Sequence, residues 1–287
     1  MVLKRFLLVF LTLCLVLSLS ACGNANTEDA SSESIPQKYI VKVVTEGGMA
    51  LKGVTVMVYK DNTKTSLVNA GTTDDEGFLR FNGYQSTEYV AVLSGLPEGY
   101  TADSEYPILS KDNEFSVKST LRNMALEGAQ LKLGDIAFDF EITDVNGKTY
   151  KASELLKTKK AIVLNFWYEN CVPCRMEFPY MQESYLSFSN NLEIFAINFY
   201  DGSQSSVKEY AESLSLTFPF FSANSEWQTA FTNLYSFPTT VIIDRYGMVA
   251  FMHSSAITEK ETFDKIFAYF TADDYVQTTV RNISDIK

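Results

Sequence analysis

Ala161-Ile162-Val163-Leu164-Asn165-Phe166-Trp167 is an apolar, β-favouring run, and four residues after it the chain reads Cys171-Val172-Pro173-Cys174. A run of this length bounded by a polar turn is a buried strand. From Val172 to about Asn190 the pattern turns helical, with Met176, Tyr180, Met181, Leu186 and Phe188 as the candidate packing residues. The two cysteines therefore fall at the carboxyl end of a strand, where a helix begins. Working outward, Leu192 to Phe199 and Thr239 to Ile243 read as further strands, and Ser205 to Leu214 and Thr258 to Phe270 as amphipathic helices. Asp244-Arg245-Tyr246-Gly247 joins Val241-Ile242-Ile243 to Met248-Val249-Ala250-Phe251 as a tight hairpin. From Leu131 onward, strands alternating with helices predict an α/β sheet.

Upstream the pattern is different. Tyr39 to Val44, Val54 to Tyr59, Phe78 to Phe81, Tyr89 to Leu93 and Phe115 to Val117 are short β-favouring runs. Between them lie Gly47-Gly48, Asp61-Asn62, Asp74-Asp75-Glu76-Gly77 and Leu96-Pro97-Glu98-Gly99, which are turn chemistry. Regularly spaced strands and turns predict an all-β sandwich over residues 38–126, followed by the α/β domain over 127–287. Two domains suit a chain of 287 residues, and 46% hydrophobic residues supply each with a core.

The amino-terminal residues account for half of the cysteines. Lys4 and Arg5 precede an apolar stretch from Phe6 to Leu17, and Leu19-Ser20-Ala21-Cys22 follows. The stretch is shorter than the roughly 20 residues of a membrane span. The pattern resembles a bacterial lipoprotein signal: residues 1–21 would be removed and Cys22 would carry lipid. Residues 22–37, rich in Ser, Asn, Ala and acidic side chains, read as a flexible tether. The expected location is extracytoplasmic, on a membrane lipid anchor. With Cys14 lost and Cys22 lipidated, only Cys171 and Cys174 remain, too few for a structural disulfide network and suited to exchange. An excess of 35 acidic over 24 basic residues repels phosphate backbones, which argues against a nucleic-acid partner.

Two resemblances follow from these motifs. Gly53-Val54-Thr55-Val56, Thr73-Asp74-Asp75-Glu76-Gly77 and Gly95-Leu96-Pro97-Glu98-Gly99-Tyr100 resemble the prealbumin-like, Cna-B-type domains of bacterial surface proteins. Some of those carry a Lys-Asn isopeptide bond promoted by an acidic residue. The corresponding strand here, Tyr89 to Leu93, has no carboxylate, so no such bond is expected, and the domain reads as a spacer or docking module. From Leu131 to Phe270, the series Asp139-Phe140, Asp144-Val145-Asn146-Gly147-Lys148, Leu164 to Trp167, Cys171 to Cys174, Glu177-Phe178-Pro179 and Phe237-Pro238-Thr239-Thr240 resembles the TlpA/ResA-like thiol-disulfide oxidoreductases of thioredoxin-like fold. The resemblance implies a dithiol enzyme that reduces protein disulfides and a cis Pro238. It also implies a CcdA-like membrane electron donor and substrates that include the cysteines of apocytochrome c. No organic cofactor is implied, because the Cys171–Cys174 pair itself carries the electrons.

Chemistry assigns provisional roles. At a helix N-terminus, free N–H groups and the dipole lower a cysteine pKa from about 8.5 to roughly 3.5 to 7.5, so Cys171 is the expected attacking sulfur. Cys174, one turn in, resolves the mixed disulfide. Pro173 falls in the first turn, where its missing N–H had no partner. Glu177 shares a helix face with Cys174; a partly buried carboxylate there would exchange protons with the thiols and raise their pKa values. A glutamate facing water in the first turn is the plainer alternative. With Pro238 cis, as the resemblance implies, it would present the Phe237 backbone to an incoming peptide and deny a metal the space beside the sulfurs, an ordinary trans turn before a strand being the alternative; Trp167 would pack beneath the loop or simply fill the core.

Many relatives have Trp before the first cysteine. Asn170 takes that place here, next to Glu169, which predicts a more exposed Cys171 and an extra acid opposing thiolate formation. Tyr168 stands where peroxidase relatives carry Thr, which argues against a peroxidase. The competing classes are a copper- or thiol-binding carrier that would use both cysteines and perhaps His253, and a surface interaction protein working through the β-domain. No metal is expected.

Overall fold

A computed structural model describes residues 35–85, 87–122 and 130–286. The expected signal segment, Cys22 and the tether as far as residue 34 lie outside these. Among the described residues no helix is long and apolar enough to cross a membrane.

The front domain holds eight strands: β1 (Pro36–Thr45), β2 (Thr55–Tyr59), β3 (Leu67–Thr72), β4 (Phe78–Tyr84), β5 (Tyr89–Ser94), β6 (Tyr100–Thr101), β7 (Tyr106–Ile108) and β8 (Asp112–Ser119). They form two four-stranded sheets, ordered β4-β1-β8-β6 and β3-β2-β5-β7. The period of two decides the inner faces: Tyr39, Val41 and Val43 of β1 and Phe115 and Val117 of β8 are buried, as are Val56 and Val58 of β2 and Ala91 and Leu93 of β5. The short strands β6 and β7 are additions to the five expected runs, and two further details differ from the sequence reading. The chain is already paired at Pro36 and Gln37, against Tyr84 and Gly83, so the expected tether gives way to strand two residues early. The second difference is β3, absent from the expected strands because its side chains are mostly exposed; it is held at the sheet edge by backbone pairing with β2.

The second domain is built on a five-stranded sheet ordered β13-β12-β11-β14-β15. In chain order, a short hairpin of β9 (Glu141–Thr143) and β10 (Thr149–Lys151) and the helix α1 (Ala152–Leu155) lead into β11 (Ala161–Trp167). Then follow α2 (Val172–Phe188), β12 (Leu192–Asn198), α3 (Gln204–Ser213), β13 (Phe220–Ser222), α4 (Ser225–Ala230), β14 (Thr239–Asp244), β15 (Val249–His253) and α5 (Lys260–Thr271). All seven residues of β11 are buried. Val163 and Trp167 face a core shared with α2, α3 and α5, whereas Ile162, Leu164 and Phe166 face one shared with Phe138, Phe140, Trp227 and Phe231. A central strand covered on both faces reads as a continuous apolar run.

The packing face of α2 matches the expected one only in part: Met181 is buried and Phe188 packs against Phe267 of α5. Met176, Tyr180 and Leu186 are 55%, 37% and 66% exposed, whereas Cys174, Glu177, Phe178, Met181 and Ser184 are buried. Those buried positions follow steps of three and four, the spacing of one helix face, and α5 covers them.

The expected boundary at 126/127 falls within the undescribed residues 123–129. On either side of it the two domains are joined. The Arg122 N–H donates to the Ala137 carbonyl at 2.8 Å, and the Asp139 N–H to the Arg122 carbonyl at 2.8 Å. The Gln277 N–H donates to the Gly47 carbonyl at 2.8 Å, the Ser119 hydroxyl to the Tyr246 carbonyl at 2.6 Å, and the Thr45 hydroxyl meets the Gln277 side chain. One cluster of buried side chains runs from Val41 and Phe115 through Ile136 to Phe251.

These joints gather at one end of the sheet. Ala161 pairs with Asp244 and Phe166 with Thr239, so Asp244 and its hairpin mark the end opposite to Trp167 and the cysteines. There Asp244 is buried; it accepts from the Tyr246 and Met248 amides and from the Tyr275 hydroxyl, and burial pushes its carboxyl up to about 6 against those bonds.

Gly47 tests the joint. A Cβ there would stand 2.3 Å from the Gln277 Cβ and 2.7 Å from the Tyr246 ring. Gly47→Val is expected to cost about 1–3 kcal/mol by overpacking. Both tryptophans, Trp167 and Trp227, lie in the other domain. In urea unfolding the fluorescence midpoint is expected to fall together with the circular-dichroism midpoint; a fluorescence midpoint that stays put would mean domains that unfold independently.

Candidate active site

The Cys171 backbone is extended (φ −77°, ψ 94°) and caps α2. Its sulfur accepts the Cys174 N–H at 3.2 Å and is bonded to the Cys174 sulfur. An amide aimed at the first sulfur favours negative charge there, in the same sense as the helix dipole. Pro173 lies in the first turn and is exposed, as is Val172 at 64%.

The expectation of a more exposed Cys171 fails: it is 1% exposed and Cys174 0%. Both belong to the core, with Tyr168 and Phe237 packed against it and their rings edge to face at 5.6 Å. Glu169, the extra acid, is engaged elsewhere, accepting from the Ser206 hydroxyl at the start of α3.

Glu177 is 0% exposed, more deeply buried than the sequence suggested and not a solvated first-turn residue. Its Oε1 accepts from Asn165 Nδ2 at 2.7 Å and its Oε2 from the Ile257 N–H at 3.0 Å. Burial pushes the carboxyl up to about 7, and these two donors oppose the rise. Asn165 and Ile257 were not among the expected site residues. Asn165 carried a readable signal, since a lone amide inside a fully buried apolar strand must find partners. Ile257 carried none, because it contributes only its backbone.

Trp167 is fully buried and packs on Phe178, Tyr210 and Phe220 at 5.2 to 5.8 Å between ring centroids. These contacts are core packing. The Phe237–Pro238 peptide is cis, and the Phe237 ring also meets Tyr200 at 5.3 Å. His253 is stacked on Phe251 and within 3.1 Å of Ser255, and burial lowers its pKa. Among the described residues no three His, Cys, Asp or Glu side chains gather as a metal-holding group.

A disulfide-bonded cysteine pair capping the helix that follows the central strand of an α/β sheet is the architecture of a thiol-disulfide oxidoreductase of thioredoxin-like fold. Comparison with known proteins agrees. Residues 133–252 match the AhpC/TSA family, and residues 38–125 match the prealbumin-like fold domain. The thioredoxin-like protein YneN of Bacillus subtilis is 33% identical over 135 residues, covering 46% of this chain and 78% of that protein. The thiol-disulfide oxidoreductase ResA of Geobacillus kaustophilus is 32% identical over 140 residues, covering 48% and 79%. A thioredoxin-family thiol:disulfide interchange protein of Chlorobium tepidum is similar at 25% identity and a TM-score of 0.42, covering 48% of this chain and 94% of that one. The chain belongs to the ResA-like thiol-disulfide oxidoreductases, with a prealbumin-like domain in front of the catalytic fold.

The raised Glu177 carboxyl links stability to pH. The folded protein holds this proton up to about 7 and the unfolded chain releases it near 4.5, so the stabilisation is complete below 4.5 and is lost as pH rises through 7. At about 1.4 kcal/mol per pH unit, the loss is about 3 kcal/mol. Asp244 adds a similar loss over a lower window, from 3.8 to about 6. The free-energy difference between oxidised wild type and Glu177→Gln, from urea unfolding, cancels the Asp244 contribution. That difference is expected to move by about 3 kcal/mol between pH 4.5 and pH 8, with wild type losing ground; a constant difference would mean that Glu177 ionises normally.

Proposed function

We propose that the chain is a membrane-tethered, extracytoplasmic protein-disulfide reductase. The observation that carries this reading is the Cys171–Cys174 pair at the mouth of α2, with the Cys174 amide aimed at the Cys171 sulfur. In the reduced enzyme the Cys171 thiolate attacks one sulfur of a substrate disulfide and expels the other as a thiolate, which takes a proton. Cys174, as its thiolate, then attacks Cys171 in the mixed disulfide, releases the second substrate thiol and leaves the enzyme oxidised. Glu177, on the face of α2 that carries Cys174, takes and returns the proton of the resolving thiol.

The reducing direction is supported by electrostatics. A strongly oxidising pair needs a highly stabilised thiolate, whereas the buried Glu177 carboxyl raises the cost of negative charge beside it. The Cys171–Cys174 disulfide is the only redox group this cycle needs. Phe237 and Pro238 flank the pair and offer backbone to a substrate strand. Residues 1–21 act as the signal and Cys22 as the lipidated residue of the mature chain. The β-domain acts as a spacer between tether and catalytic domain, a reading supported by its joint at the sheet end opposite the dithiol. Electrons come from a CcdA-like membrane thiol donor, and apocytochrome c cysteines are among the substrates.

Cys171→Ser is expected to abolish disulfide reduction in an insulin assay, and Cys174→Ser to accumulate a mixed disulfide visible on non-reducing gels. Both variants behaving as wild type would end the enzymatic reading. Equilibration with a dithiol buffer is expected to place the pair near thioredoxin's roughly −270 mV, and a value near −120 mV would make it an oxidase. Cys22→Ser is expected to move the protein from the membrane to the soluble fraction.

A further inference from the structure

We propose that Asn165 is a positioning residue for Glu177: a reversible amide that turns Nδ2 toward the carboxylate and Oδ1 toward the carboxylic acid. The inference extends the reading above, in which Glu177 gains and loses a proton during exchange.

The geometry behind it is a buried, polar row crossing three strands. Asn165 on β11 pairs in register with Thr240 on β14, and Thr240 with His253 on β15, so the three side chains share the face of the sheet covered by α2. Asn165 is 0% exposed; its Nδ2 donates to Glu177 Oε1 at 2.7 Å and to the Thr240 hydroxyl oxygen at 3.2 Å, and its Oδ1 has no partner. This arrangement suits a carboxylate, which only accepts. A protonated Glu177 is different. Its Oε2 is held by the Ile257 N–H, a donor, so the acid proton falls on Oε1 and needs an acceptor. Pointing at Asn165 Nδ2 it would meet a second donor. A half-turn of the amide replaces Nδ2 with Oδ1, whose two lone pairs then accept from Glu177 and from the Thr240 hydroxyl, itself able to donate or accept. Each protonation state of Glu177 thereby keeps its hydrogen bond to Asn165 without any backbone movement, and the unpaired group falls on the far side of the amide, where Oδ1 already has no partner.

The other charged or titratable groups on the elements around Glu177 are few. The cysteine pair lies on its own helix. His253 ends the polar row, and Asp264 and Lys260 pair with each other on α5, where Asp264 also receives the Ser184 hydroxyl two turns further along α2. No charged neighbour is among the causes that shift Glu177, which leaves Asn165 and the Ile257 amide as the groups that tune it.

The test is a carboxyl titration of the oxidised protein by ¹³C NMR with labelled glutamate and aspartate, the Glu177 signal being assigned from its loss in Glu177→Gln. Replacing Asn165 by Leu removes the donor to the carboxylate, and the Glu177 midpoint is expected to rise by about one to two pH units. Asn165→Asp, close to isosteric, is a second variant that does not depend on refilling the core. It places two carboxyls on one proton, so the upper midpoint is expected to rise by at least a unit while a second, low one appears. The exchanged pair Asn165→Asp/Glu177→Gln is expected to return to a single midpoint. In wild type the Asn165 side-chain ¹⁵N resonance is expected to move with the Glu177 midpoint. A Glu177 midpoint unmoved in both single variants, or an Asn165 amide resonance flat from pH 5 to 9, overturns the proposal. The pH–rate profile of disulfide reduction separates the two layers: a Glu177 midpoint that moves while the profile stays fixed upholds the role of Asn165 and removes Glu177 from the exchange.

Discussion

A strand with every side chain buried constrains everything near it. The seven residues of β11 have no wet face, so the chain must supply packing on both sides and hydrogen-bonded neighbours on both edges. β12 and β14 provide the edges, α2 and α5 cover one face, and the aromatic set around Phe138, Phe140 and Trp227 covers the other. The carboxyl end of this strand is therefore rigid, and the cysteine-bearing cap of α2 leaves directly from it. In the proposed reaction, precise placement of the two sulfurs against an incoming disulfide depends on that rigidity.

Around the sulfurs two electrostatic influences oppose each other. The first turn of α2 presents an amide and the positive end of a dipole, both of which favour a thiolate at Cys171. One turn further along, the same helix buries a carboxyl that resists ionisation and disfavours a second negative charge nearby. A redox pair balanced this way avoids the extreme thiolate stabilisation that makes a dithiol a strong oxidant. The balance is held by few groups, chiefly the Asn165 amide and the Ile257 N–H, so its tuning is local to the junction of β11, α2 and the segment after β15.

The front domain meets this machinery from the other end. Its joint runs through Gly47, Ser119 and Arg122 to the Asp244 hairpin and Gln277, while the dithiol and the cis Phe237–Pro238 bond occupy the opposite end of the same strands. Docking there leaves the active-site end free of the β-domain. The joint is both polar and apolar, with backbone hydrogen bonds between the domains and a buried cluster continuous across them. Such a joint couples the two folds mechanically, unlike a flexible linker.

How much of this was legible in the chain differs from residue to residue. The apolar run at Ala161, the Cys171–Cys174 spacing and the Phe237-Pro238-Thr239-Thr240 motif determined the class of fold and the location of the dithiol, because alternation and turn chemistry are local properties. The strand β3 was invisible, since an exposed edge strand is defined by the partner it pairs with and not by its own hydrophobicity. The face of α2 was legible at Met181 and Phe188 and misread elsewhere for a similar reason: Met176, Tyr180 and Leu186 are apolar enough to be buried, and only the position of α5 decided that Glu177 and Ser184 would be buried instead. The sequence by itself therefore determined where the cysteine pair lies, between the central strand and its helix. Tertiary structure alone decided what surrounds the pair: the burial of Cys171, the Asn165 and Ile257 bonds to Glu177, and the end at which the β-domain docks. Those depend on groups far apart in the chain, and burial and hydrogen-bond partnership exist only once the chain has folded them together.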